Sequence, residues 1–143
     1  MKAKLLIIGS LAYMFSAFFI SWLAIILIDM DAELIRTKLF WNSFLVVSVF
    51  VLSFVPGLVG FLNKKNGVVA GLFLPFIGGL IVLQIARVFF NLSADTKLHI
   101  FFSEVPKLGD YSIVYTPITL SWVIGPIFGG VGELLGRLSK SKL

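Results

Sequence analysis

Glu133 and Arg137 stand four residues apart near the end of the chain, acid first. That order favours an ion pair along one helix face. Within an apolar span such a carboxylate could carry a proton or a cation. Near the boundary of the span it instead anchors the helix end. A second group is Gln84, Arg87 and Asn91, spaced three and four apart and hence on one helical face. An arginine flanked by amides suits a phosphate or carboxylate, as an anion or a lipid headgroup. The plainer reading is that Arg87 snorkels to the headgroups or pairs with Asp95 or Glu104. Asn42 and Ser43 on one neighbouring segment, and Tyr115, Thr116 and Thr119 on another, fall at similar depth and could complete a polar patch.

Other chemistry finds little material. The single histidine, His99, lies four residues after Asp95 and near Glu104, a thin donor set for a metal. There is no cysteine, which removes disulfides, thiolate sites and cysteine nucleophiles. Neither H-E-x-x-H nor G-x-S-x-G is present, and Gly129-x-x-Gly132 follows no strand and lacks the G-K-[ST] ending of a phosphate loop. The residues therefore assign no catalytic group, no metal and no cofactor.

The elements that carry these groups are set by composition. Of the 143 residues 59% are hydrophobic and only 13% charged, with mean hydropathy +1.05. A soluble domain is about a quarter charged. The net charge of +5 lies in short clusters at the edges of apolar runs rather than in a stripe interleaved with aromatics, so no nucleic-acid partner is expected. Four runs, about 5–28, 39–62, 67–90 and 113–135, are long enough for helices crossing roughly 30 Å of hydrocarbon. Period-two alternation of barrel strands is absent. The first run is too long for a cleaved signal's apolar core and ends at Asp29-Met30-Asp31 without a good cleavage site, so it is read as a retained helix. The expected fold is all-α: a single-domain compact bundle of four transmembrane helices over residues 1–143.

Orientation follows from the basic residues. Lys2, Lys4, Lys64, Lys65, Arg137, Lys140 and Lys142 fall on one side with Glu133 as the single acid, which predicts both termini in the cytoplasm. Asp29, Asp31, Glu33, Asp95, Glu104 and Asp110 fall on the other, with Trp41 and Tyr111 placed as outer aromatic belts. Segment 92–112, with Leu98, Ile100, Phe101, Phe102 and Val105, is too apolar for a free loop and is expected to lie on the outer interface or the bundle mouth.

The inner half is rich in glycine and proline: Pro56, Pro75 and Pro126, with Gly57, Gly60, Gly67, Gly71 and the run from Gly125 to Gly136. Each glycine in a helix costs about 1 kcal/mol against alanine, and an interior proline about 3. Close helix packing offsets such costs in lipid, because small faces let backbones approach. Ser121, Gly125 and Gly129, then Gly132 and Gly136, are four apart on the fourth span, a glycine-zipper pattern. This interface packs either the bundle itself or a second subunit. Alternatively, the kinked inner half lines a cavity, as broken helices do in transporters. The favoured function is a non-catalytic accessory or assembly subunit, with the lipid bilayer and other membrane subunits or further copies as partners. The alternatives are a small oligomeric transporter or channel and, third, a membrane enzyme acting on lipids.

Overall fold

The computed structural model describes residues 3–30, 37–90 and 112–141. It contains four helices: α1 (Ala3–Asp29), α2 (Lys38–Asn63), α3 (Gly67–Phe89) and α4 (Ser112–Ser141). Each is long and apolar enough to cross a membrane. Their outer surfaces show Phe15, Leu39, Phe89 and Val88 at 69–82% exposure, so the exterior is apolar as a bilayer requires. The chain is a multi-pass integral membrane protein with a compact helical bundle. The expected segment 92–112 lies outside the described residues except for Ser112, which begins α4.

Local signals set the helix ends. Thr37 is extended (φ −95°, ψ 143°) and its hydroxyl accepts the N–H of Phe40 at 3.2 Å, an N-cap for α2. At the other end Lys64 turns left-handed (φ 59°) and donates its N–H to the Gly60 carbonyl at 2.9 Å. Asn66 is left-handed as well (φ 55°), so α3 doubles straight back beside α2. The Asn63 side chain donates to the Lys65 carbonyl at 2.7 Å and steadies this turn. α4 continues to Ser141, past the expected end near 135, because Glu133 and Arg137 extend the helical face beyond the apolar run.

α4 packs against both arms of this hairpin through glycine. A Cβ on Gly129 would fall on the Gly67 carbonyl, and a Cβ on Gly67 on the Gly129 carbonyl. Gly132 faces the Gly57 carbonyl and Gly136 the Phe61 carbonyl in the same way. So α4 runs antiparallel to α3 and parallel to α2, with only hydrogens between backbones. α1 is seated more loosely on α3. A Cβ on Gly78 would lie 2.8 Å from the Tyr13 ring, and one on Gly9 would lie 2.7 Å from Val59 of α2 and 3.3 Å from Leu74, in each case against a side chain rather than a backbone.

Pro75 and Pro126 lie in the same seam, and the helices run through Pro56, Pro75, Pro117 and Pro126 without a break. A proline at 75 leaves the Gly71 carbonyl without its intrahelical donor. That oxygen lies 2.7 Å from where a Gly125 Cβ would sit, so a Cα–H of Gly125 faces it. The Pro75 ring is 3.0 Å from the same position, and Gly71 in turn receives Pro126. Pro75 and Pro126 thus each sit against a glycine on the facing helix.

Trp41 departs from its expected place in an outer aromatic belt. It is fully buried with Ala24, Leu45 and Val49, and Leu120 and Ile124 pack against that cluster. Its position near a helix end agrees with a belt, but its side of the helix is the inner one.

Two substitutions separate the seam from its rim. Gly129→Ala drives a methyl into the Gly67 carbonyl and is expected to lose about 1–3 kcal/mol, the range for overpacking. At Gly130 a Cβ meets only Val68 Cγ2 at 3.1 Å, a methyl that can turn aside. Gly130→Ala is therefore expected within about 0.5 kcal/mol of wild type. Reversible unfolding in mixed micelles measures both.

Candidate functional site

The first turn of α3 has backbone N–H groups with no intrahelical acceptor. Its N-cap residue, Asn66, makes no capping bond, and the first turn holds no acid. The missing acceptor comes from another helix. Glu133 Oε2 on α4 accepts the Gly67 N–H at 2.7 Å. Gly67 permits this approach, since a Cβ there would lie 2.8 Å from Glu133 Cβ.

The other carboxylate oxygen, Oε1, accepts Arg137 Nη2 at 2.5 Å. Arg137 Nε donates onward to the Lys64 carbonyl at 3.0 Å, just past the end of α2. α2 has no basic residue in its last turn. The negative end of its dipole therefore meets the guanidinium, while the positive end of α3 meets the carboxylate. One i,i+4 pair on α4 clasps both ends of the hairpin turn. The Glu133 side chain is 18% exposed and that of Arg137 60%, so the carboxylate is the sheltered member. Both Glu133 oxygens are engaged, which suits an anchor better than a proton carrier.

Deeper in the bundle, polar groups serve as latches. The Tyr13 and Ser121 hydroxyls lie 2.6 Å apart, and Ser121 donates to the Ile118 carbonyl, also at 2.6 Å. Trp122 Nε1 donates to the Pro75 carbonyl at 2.7 Å, tying α4 to α3 beside the proline. Ser121 and the glycines at 125, 129, 132 and 136 all sit within the bundle rather than on its outer face. Ser121 meets α1, Gly125 and Gly129 meet α3, and Gly132 and Gly136 meet α2.

The described members of the second sequence group, Gln84 and Arg87, stay on one face of α3. Gln84 and Arg87 are exposed on the outward side of α3, and Asn91 lies outside the described residues. Thr116 is fully buried, and Thr119 donates to the Tyr115 carbonyl at 2.8 Å. Thr116 thus faces the interior of the bundle, whereas Gln84 and Arg87 face outward. Asp95, His99 and Glu104 lie outside the described residues, and no group of three or more metal-ligating side chains occurs among those described.

No family model, no curated protein and no solved structure matches this chain. The function is read from its own residues.

Three contacts had no sequence signal: Glu133 to Gly67, Tyr13 to Ser121, and Trp122 to Pro75. Each joins residues far apart in the chain. The one available hint was the missing cap: α3 opens on Asn66-Gly67 with no acid in its first turn.

Removing the acceptor exposes the value of the clasp. Glu133→Ala leaves the Gly67 N–H without its acceptor and is expected to lose about 1–3 kcal/mol. Glu133→Gln keeps an acceptor oxygen and is expected to lose less than half as much. The thermal unfolding midpoint in detergent, read for both variants, ranks them.

Proposed function

We propose that this protein is a non-catalytic accessory or assembly subunit of a membrane complex, with both termini in the cytoplasm and the outward face of α3 as the side that meets its partner. Gln84 is the observation that carries this reading. It is exposed on α3 five residues before the helix ends at Phe89, roughly 7 Å along the axis, and no hydrogen bond joins it to another described residue. Facing hydrocarbon, a carboxamide is costly unless it is bonded. A docked helix with its own polar group removes that cost, and interhelical amide bonds are a common means of association in lipid. Three residues on, Arg87 extends towards the headgroups along the same face.

The rest of the bundle fits a scaffold. The glycine seam is used within the chain, the clasp engages both Glu133 oxygens, and the buried polar side chains among the described residues are hydroxyls. Such a body keeps its shape while presenting its outer surface to partners.

Native mass spectrometry of protein extracted gently from its own membrane tests this. The expected result is a heteromeric complex of fixed stoichiometry, lost from Gln84→Leu while the unfolding midpoint holds. A chain that emerges without other subunits, or a complex indifferent to Gln84→Leu, contradicts the reading.

A further inference from the structure

The loop end of the bundle carries more positive charge than it uses. Among described residues this end holds Lys4, Lys64, Lys65 and Arg137 against Glu133 alone. Glu133 is already committed to Arg137 and to the Gly67 N–H. Lys65 is exposed in the hairpin turn, and Lys64 is partly so. No carboxylate of the described residues remains to neutralise them.

An apolar groove starts one turn further along. It has a volume of about 330 Å³, is lined by Val69, Leu72, Phe73 and Phe76 of α3 and by Trp122 of α4, and opens on the outer surface. The Trp122 ring closes the far end, 5.6 Å from Phe76 and held by the Pro75 carbonyl. From Val69 to Phe76 is seven residues, roughly 10 Å at helical rise. One leaflet of hydrocarbon is about 15 Å, half of the full core. The groove thus offers an apolar slot over about two-thirds of a leaflet's depth, with Lys65 four residues before its first lining residue.

We propose that this groove and the lysine turn form a retained binding site for an anionic phospholipid. The phosphate lies against Lys64 and Lys65, and one acyl chain runs along Val69, Leu72 and Phe76 to stop at Trp122. A lysine near a membrane surface contributes about 1 kcal/mol towards anionic lipid. Two such charges with a fitted chain distinguish one lipid from the bulk.

The site lies on the same outward face of α3 as Gln84 but in the half nearer the hairpin turn, and it does not depend on the partner reading. The test is native mass spectrometry of the purified full chain in detergent with phosphatidylglycerol and, separately, phosphatidylcholine of the same acyl length. One phosphatidylglycerol per chain is expected to persist at collision energies that strip phosphatidylcholine. Lys64→Asn/Lys65→Gln is expected to lower phosphatidylglycerol affinity about tenfold, with asparagine retaining the left-handed turn. Leu72→Trp, which fills the groove from an exposed position, is expected to lower affinity for both lipids. Equal retention of the two lipids by wild type overturns the proposal. So does retention unchanged in either variant, or a dimer that forms through the groove and excludes lipid.

Discussion

Glu133 lies where two helix ends of opposite polarity meet. α3 begins with unsatisfied N–H groups and α2 ends with unsatisfied carbonyls, and the short turn between them satisfies few of either. Water would solvate such ends in a soluble protein. At the edge of a bilayer that supply is reduced, and each bare group costs more. α4 meets the need with one ion pair whose acid faces α3 and whose base faces α2. The pair is half exposed, so its charge–charge attraction is screened. Its importance lies in direction: it fixes α4 in rotation and height against the hairpin.

That registration is what allows the glycine seam to close. Backbones in contact tolerate no slip, because one residue of sliding would replace a hydrogen by a side chain. Gly125, Gly129, Gly132 and Gly136 divide between the two arms, the first two facing α3 and the last two α2. The interlocked pairs Gly71 with Pro126 and Gly125 with Pro75 show how residues that weaken an isolated helix become complementary surfaces between helices. The conformational cost of glycine and proline is offset by dispersion contacts and Cα–H···O approaches along the whole seam. α1 stands apart from this logic. Its attachment relies on Tyr13, buried against Gly78 and bonded to Ser121.

Much of this was legible from residue order. The apolar runs located every helix to within two residues at seven of eight ends, because lipid leaves helix as the main solution for a long uncharged stretch. The end of α4 was misjudged since hydropathy reports where the membrane stops, whereas a helix continues through Glu133 and Arg137 on its own hydrogen bonds. Four-residue spacing identified the glycine faces but not their partners; which backbone meets Gly129 is a tertiary fact. The same limit explains Trp41, since depth follows from position while side follows from packing. The i,i+4 pair was visible at Glu133 and Arg137. Its work on α3 was not, because nothing local links Glu133 to Gly67.

The central claim is that α4 closes on α3 within one chain, in the register set by the clasp. Because the chain has no cysteine, paired cysteines report this without background. A Cβ at Gly130 would lie 3.1 Å from Val68 Cγ2, close enough for a disulfide. Val131 points outward at 51% exposure. Mild oxidation in native membranes of Val68→Cys/Gly130→Cys is expected to give rapid intramolecular crosslinking. Val68→Cys/Val131→Cys is expected to give little. Equal crosslinking of both pairs, or bonds forming only between chains, would contradict the account.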